Sequence, residues 1–232
     1  MNPTKMGNKG FSTDDPVIGP CELFVLCRSI TEWLFSAGIP KPSVAFGHSL
    51  GEYMALCQAD VFTEHECIEI LRERGKLIAQ TPFAEMVLVV TKEGQETYPT
   101  PKGIELAAQL TENMGVYVGH PSNIDAWIKE MERLDNGIKC RLLDTKYGFH
   151  STKFLGKIKE PFKVVAHKYF PRRTERKVML ADVISNVDGT FLSSDTINAE
   201  YLVKHLTSPV RLDLSLKRFK IRKISYTFIK YN

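Results

Sequence analysis

Apolar residues recur at helical spacing in the first third of the chain and fall into short β-rich runs in the middle third. The helical spacing predicts helices over residues 22–37 and 50–59, and a third helix beginning with the capping box Thr63-Glu64-His65-Glu66. Between the first two helices, residues 43–46 form a short apolar run bounded by proline and glycine, which predicts a buried strand.

The pattern changes after residue 82. The elements predicted there are an amphipathic helix at 123–134 and strands at 86–90, 104–108, 116–118 and 138–143. Farther on, the pattern predicts a helix at 154–169, a strand at 178–185, a turn at Asp188-Gly189 and a helix at 199–206. Short strands between two helix-rich halves indicate a small α+β unit inserted into a larger α/β domain.

Charge and cysteine content exclude several classes of protein. The 232 residues carry a net charge of +4, but residues 211–232 hold seven Lys or Arg and one Asp. We interpret this basic end as a solvated segment, and we expect neither a nucleic acid nor a membrane as partner. Five irregularly spaced cysteines argue against a disulfide framework or a metal site. With no membrane-length apolar run and no signal core, the predicted location is cytoplasmic.

The segment Gly47-His48-Ser49-Leu50-Gly51 lies between the predicted strand and the second helix. A strand, Gly-x-Ser-x-Gly and a helix form the nucleophile-elbow pattern, in which the serine is held out at a sharp turn. A side chain at Gly47 or Gly51 is expected to collide with the neighbouring backbone. The main-chain N–H of Leu50 is expected to stabilise an oxyanion. Ser49 is therefore the predicted nucleophile of an acyl-transfer reaction.

A nucleophilic serine needs a base, and the chain offers six histidines. His48 lies inside the turn and is expected to pack or hydrogen-bond beside the site. For three others a surface or packing role is favoured: His65, His120 and His167. Spacing alone does not separate His150 from His205.

Five ordered motifs resemble the malonyl/acyl-CoA:ACP transacylases, the acyltransferase domains of fatty acid and polyketide synthases. The resemblance runs from about residue 16 to residue 211. The motifs are Gly47-His48-Ser49-Leu50-Gly51-Glu52-Tyr53, Arg72-Glu73-Arg74-Gly75-Lys76, Tyr147-Gly148-Phe149-His150-Ser151, Ile184-Ser185-Asn186-Val187-Asp188-Gly189-Thr190, and Tyr201-Leu202-Val203-Lys204-His205-Leu206-Thr207-Ser208-Pro209-Val210-Arg211.

The resemblance implies an α/β-hydrolase-like subdomain with a parallel sheet, from residues 1–82 and 147–232, and a ferredoxin-like insert at 83–146. It implies a Ser49–His150 dyad in which the main-chain carbonyl of His205 replaces an acidic third member. Arg74 would bind the carboxylate of a malonyl group. The implied substrates are malonyl-CoA, or a related CoA thioester, and the phosphopantetheinyl group of an acyl carrier protein, with no bound cofactor.

Specificity signals in the histidine motif are mixed. Phe149 and Leu50 resemble malonyl-type members, whereas Tyr147 resembles methylmalonyl-type members, and together they favour malonyl. The chain departs from the family at both ends. No Gly-Gln-Gly oxyanion loop precedes Ser49, and residues 212–232 lack the helix that the family places there. We therefore expect a chain truncated at both ends, with open edges on the central strand that carries Ser49 and with lower stability and activity.

Two other functions share the elbow. A lipase- or esterase-like serine hydrolase uses the order Ser, acid, His and has no use for an arginine beside the serine. A non-catalytic remnant of the family would keep the elbow as part of an interaction module.

Overall fold

The structure, a computed structural model, describes residues 15–92, 100–133, 137–170 and 179–221. The elements of the first third are α1 (Ile18–Ser36), β1 (Val44–Ala45), α2 (Gly51–Gln58) and α3 (Glu64–Ile78). This is the predicted order of helix, strand, helix and helix. The capping box of α3 is also confirmed, because Thr63 Oγ1 accepts from Glu66 N–H at 3.2 Å while Glu66 accepts from Thr63 N–H at 2.8 Å.

The middle third contains the predicted strands and helix. They are β2 (Glu85–Val90), β3 (Ile104–Thr111), β4 (Met114–Gly119), α4 (Pro121–Arg133) and β5 (Lys139–Leu142). The sheet order is β5-β2-β4-β3, every neighbouring pair is antiparallel, and α4 packs on one face. This is the strand order of a ferredoxin-like unit.

The chain enters and leaves this insert at one point. Phe83 and Tyr147 form an antiparallel bridge, and Ala84 N–H donates to the carbonyl of Lys146 at 3.1 Å. Two adjacent extended segments therefore join the insert to the rest of the chain. We call the rest of the chain the body.

The rest of the body follows the insert. Its elements are α5 (Thr152–Leu155), a 3₁₀ turn (Gly156–Ile158), α6 (Lys159–His167), β6 (Asp182–Ile184), β7 (Phe191–Leu192), α7 (Ala199–Thr207), β8 (Val210–Arg211) and α8 (Leu212–Ile221). Two predictions need correction here. The helix predicted at 154–169 is interrupted by the 3₁₀ turn, and only Asp182–Ile184 of the strand predicted at 178–185 forms a strand among the described residues.

The body sheet is smaller than expected. Among the described residues its order is β1-β6-β7, with β1 parallel to β6 and β6 antiparallel to β7. Within the described part of the chain, β1 therefore lies at an edge and is half-buried, not central and buried on both faces. The body core is formed by its helices, with Phe24, Leu56, Ile70 and Phe162 among the buried side chains.

The prediction for the C-terminal segment was wrong over its first ten residues, which form α8. Strand β8 extends the insert sheet by pairing parallel to β3, and α8 then packs against the turn between β6 and β7. Asp213 and Ser215 are buried there despite the basic composition of the segment. The rest of this segment, residues 222–232, lies outside the described residues. In the part of the chain that the structure describes, no helix is long and apolar enough to cross a membrane.

Candidate active site

Ser49 lies in the sharp turn between β1 and α2. Its φ of 53° places it in the left-handed region that non-glycine residues rarely occupy. A Cβ atom at Gly47 would collide with the backbone of Gly51, which explains the first glycine of the motif. The reason given for the second glycine was wrong, because a Cβ atom at Gly51 would meet nothing within 4 Å.

His150 is brought directly to the serine. Its Nε2 lies 2.6 Å from Ser49 Oγ, and its Nδ1 lies 3.2 Å from the carbonyl of His205 and 3.1 Å from that of Ser208. Both carbonyls only accept hydrogen bonds, so Nδ1 carries the hydrogen and Nε2 is free to accept from the serine. Of the two histidines that spacing did not separate, His150 is the one whose ring contacts Ser49 Oγ. The ring of His150 faces Ser49, and His205 contributes its carbonyl.

The environment keeps His150 neutral. Burial lowers the pKa of its ring well below the ordinary value, and the nearby His205 and Arg74 lower it further. A neutral imidazole at pH 7 accepts a proton without first having to lose one, as a general base requires. Like Ser49, His150 has a positive φ, of 57°.

Arg74 on α3 is the largest fully buried side chain, with 1% of its surface exposed. It forms no ion pair with any acid in the described ranges, and its Nε has no hydrogen-bond partner there. Burial lowers the pKa of the guanidinium. Its charge in turn lowers the pKa values of His150 and His205, so it lies close enough to act on the site. A buried cation without an anion is costly, and the site therefore favours an anionic ligand.

Comparison with known proteins shows the family of the chain. The sequence profile of the Acyl transferase domain matches residues 19–231. The chain belongs to the acyl transferase domain family. The match extends beyond the end of the resemblance judged from motifs, near residue 211, and takes in α8.

Individual relatives of this acyl transferase domain are distant. The chain is 30% identical to a non-reducing polyketide synthase, adaA, of Aspergillus niger over 77% of its own length and 10% of the synthase. It is 28% identical to a malonyl CoA-acyl carrier protein transacylase of Bacillus subtilis over 74% of its own length and 43% of that enzyme. The chain therefore spans less than half the length of the curated relatives that it matches.

Solved structures share the fold. The acyltransferase domain of the second module of the salinomycin polyketide synthase has a TM-score of 0.78 at 21% identity, over 94% of this chain and 50% of that one. The malonyl-CoA:acyl carrier protein transacylase of Helicobacter pylori also gives 0.78, at 18% identity, over 92% and 69% of the two chains. These likenesses establish the α/β fold.

The main-chain N–H of Leu50, the predicted oxyanion donor, opens α2. The neighbouring N–H groups of Gly51, Glu52 and Tyr53 donate to carbonyls of the same turn, whereas that of Leu50 makes no hydrogen bond with the described residues. An unengaged donor beside the serine is what an oxyanion requires.

The two predicted specificity residues lie beside the dyad. The half-buried rings of Tyr147 and Phe149 are 6.0 Å apart, and Phe149 contacts both the body core and the insert core. Their role in acyl-group selection stays a prediction. Of the other histidines, His65, His120 and His167 are exposed as expected, but His48 is also exposed rather than packed.

Sequence reasoning assigned no role to Asn186, although it lies against the elbow. Its Oδ1 accepts from Ser49 N–H and its Nδ2 donates to the carbonyl of Gly47, each at 2.6 Å. Its own N–H donates to Glu52 Oε2 at 2.6 Å. The sequence held two signals of this contact. One is an acid, Glu52, in the largely apolar segment that forms α2, and the other is the amide side chain of Asn186 in the fourth motif.

Proposed function

We propose that this acyl transferase domain moves a malonyl, or related acyl, group from coenzyme A to the phosphopantetheine thiol of an acyl carrier protein through an ester on Ser49. The observation that carries the proposal is the combination of the Ser49–His150 contact with a buried guanidinium that has no acid partner among the described residues. The first supplies an activated nucleophile, and the second supplies a reason to select a carboxylated acyl group.

The first half-reaction loads the serine. His150 Nε2 takes the hydroxyl proton as Ser49 Oγ attacks the thioester carbonyl, and the N–H of Leu50 donates to the oxyanion that forms. When the C–S bond breaks, the proton on Nε2 passes to the departing thiolate of coenzyme A. The carbonyls of His205 and Ser208 hold the Nδ1 hydrogen and so support the imidazolium that exists between these steps.

The second half-reaction reverses these roles. His150 takes the proton of the carrier thiol, the sulfur attacks the ester carbonyl, and the proton returns to Ser49 Oγ as the C–O bond breaks. Arg74 would bind the malonyl carboxylate through two parallel hydrogen bonds in both halves. The carrier as acceptor rests on the relatives, of which the Bacillus subtilis protein is named a malonyl CoA-acyl carrier protein transacylase.

The test is to incubate the chain with radiolabelled malonyl-CoA, with and without a phosphopantetheinylated carrier protein, beside the Ser49→Ala variant. Label retained on the protein and then passed to the carrier is expected, and it should vanish in Ser49→Ala because no neighbouring hydroxyl occupies the turn. Release of free malonate without a carrier would identify a serine hydrolase. Absence of label would identify a non-catalytic member of the family, and label surviving in Ser49→Ala would overturn the nucleophile.

A further inference from the structure

Asn186, in the turn after β6, is unusual in having each of its polar groups engaged. It is 1% exposed. Besides its bonds to Ser49, Gly47 and Glu52, its carbonyl accepts from Arg211 N–H at 2.6 Å. The residue is thus fixed through its main chain on two sides, while its side chain is directed at the elbow.

The two side-chain bonds of Asn186 hold main-chain groups on either side of His48. Its Oδ1 accepts from Ser49 N–H, and its Nδ2 donates to the carbonyl of Gly47. A carboxamide supplies an acceptor and a donor on one planar group, whereas an ionised carboxylate supplies acceptors alone. Because Ser49 has a φ of 53°, the turn needs such external support to hold its left-handed conformation.

We call the two side-chain bonds from Asn186 to Ser49 and Gly47 the brace. Glu52 connects this brace to the rest of the body. Its Oε2 accepts from Asn186 N–H at 2.6 Å, and its Oε1 accepts from the hydroxyl of Tyr201 at 2.5 Å. Tyr201 lies on α7, the helix whose last turn includes His205 and so supports His150. Helices α2 and α7, which position the two members of the dyad, therefore meet at one carboxyl group.

We propose that Asn186 is a positioning residue for Ser49, and that Glu52 holds Asn186 in place through its main-chain N–H. The proposal rests on the proposed function only in taking Ser49 as the nucleophile. The bonds of Asn186 end on main-chain atoms and not on the reacting oxygen, so its loss should slow the reaction of Ser49 without weakening substrate binding.

The decisive variant is Asn186→Asp. An ionised Asp at this position still accepts from Ser49 N–H but repels the carbonyl of Gly47, whereas a protonated Asp restores both bonds. The charged and titratable groups around the position are Glu52, Asp188, Tyr201, His205 and Arg211. Burial and the two neighbouring carboxyl groups raise the pKa of such an Asp.

The probe is an alkyl fluorophosphonate, which phosphonylates an activated serine and loses fluoride without any acyl carrier or carboxylate pocket. We expect the rate constant for labelling at pH 8 to fall about 100-fold in Asn186→Asp, the loss typical of a misplaced reacting group. The ratio of variant to wild type should rise at least tenfold between pH 8 and pH 6. A ratio near one at pH 8, or a reduced ratio that does not change with pH, would overturn the proposal.

Two controls separate positioning from folding. A partly unfolded sample lowers the final extent of labelling, whereas a misplaced serine lowers the rate constant. Asn113→Asp removes a similar side-chain bond, from Nδ2 to the carbonyl of Thr91 at 3.0 Å, in the insert and away from the elbow. Asn113→Asp should label at the wild-type rate at both pH values, and a matching pH-dependent loss there would overturn the proposal.

Asn186→Ala provides a second variant if Asn186→Asp does not fold at pH 8. It should show the same 100-fold loss with no recovery at pH 6 and with an unchanged half-saturating concentration of malonyl-CoA. Wild-type labelling rates in Asn186→Ala would refute the brace. If the wild type reacts with the fluorophosphonate but not with malonyl-CoA, the donor assignment fails and the Asn186 result stands. If the wild type reacts with neither, both proposals fail.

Discussion

The insert and the body are stabilised in different ways. The insert is a regular antiparallel sheet with apolar side chains on both faces: Val87, Tyr117, Ile124 and Trp127 pack between the sheet and α4, and Met86, Ala108, Val116 and Val118 pack on the other face. In the body the strands are only two or three residues long, and the helices and turns carry a cluster of buried polar groups that includes Glu52, Arg74, His150 and His205.

Strain and unsatisfied groups are concentrated in the body. The non-glycine residues with positive φ in the described ranges, Ser49, Asp60 and His150, all belong to it. So do most of the buried side-chain atoms without a hydrogen-bond partner there, including Tyr53 Oη, Arg74 Nε and both ring nitrogens of His205. The insert follows rules that favour stability, whereas the body departs from them where a reaction is proposed.

Of the variants that test this difference between the two regions, Arg74→Ala should cause the largest loss of activity. Removing one partner of a buried charge pair costs about 3–5 kcal/mol, which corresponds to more than a hundredfold in rate. We expect malonyl transfer to fall by that factor and acetyl transfer to be spared, because an acetyl group has no carboxylate. Transfer from radiolabelled malonyl-CoA and acetyl-CoA measures both.

The matched control for Arg74 is Arg72→Ala, on the same helix. Arg72 is half-exposed and pairs with Glu69 at 2.8 Å, so its loss should leave both substrates within about twofold of wild type. Equal losses of malonyl and acetyl transfer in Arg74→Ala would mean that the buried arginine is structural.

Glu52 gives the stability of the body a dependence on pH. Burial raises the pKa of this carboxyl from 4.5 to about 7. A raised pKa means that the folded state binds the proton more tightly, so stability is full below pH 4.5 and is lost as pH rises through 7. Burial lowers the pKa of His205 to about 3, so its contribution is full above pH 6.5 and is lost as pH falls through 3.

The Glu52→Gln variant isolates the carboxyl. The free energy of unfolding of the variant, relative to wild type, should rise by as much as about 3 kcal/mol between pH 4.5 and pH 8, because 1.36 kcal/mol accompanies each pKa unit. Urea unfolding at the two pH values measures the difference, and the histidines cancel in it. A relative stability that is constant with pH would show that Glu52 is ionised throughout.

The difference between the regions also explains what the sequence revealed. The insert strands were predicted because alternation of apolar side chains reports directly on sheet burial. The elbow was predicted because the sharp turn that carries the serine brings the backbone too close to position 47 for any side chain. Only glycine fits there. Neither signal reports on which polar groups meet across the fold, so the contacts from Asn186 to Ser49 and Gly47, 137 and 139 residues away, were not foreseen.

The errors have equally specific causes. The basic charge of residues 211–232 concealed α8, in which Lys217, Arg218 and Lys220 are exposed while Asp213 and Ser215 are buried. Ser215 Oγ donates to the carbonyl of Ser185, directly behind the brace at Asn186. Net charge therefore reported on the exposed cations of this helix and not on its buried positions.

The smallest effect is expected where the two regions touch. Glu105, on β3 of the insert, accepts a hydrogen bond from Ser151 Oγ at 2.5 Å, next to His150. Ser151 also accepts from Phe154 N–H at 3.3 Å and so caps α5. Glu105→Gln keeps an acceptor oxygen and loses only the charge, so we expect a loss of about 1 kcal/mol in stability.

Glu105→Gln should therefore lower the melting temperature by about 2–4 °C while leaving the rate constant for Ser49 labelling within about fivefold of wild type. Glu112→Gln is the control, because Glu112 also links the insert to α8, through an exposed pair with Lys217 at 2.8 Å, and its loss should shift the melt by less than about 2 °C. The kinetic effect should be small because His150 keeps its bonds to the carbonyls of His205 and Ser208, which lie in the body. A labelling rate that collapsed in Glu105→Gln, with the protein still folded, would show that the insert positions the base and that the two regions act as one.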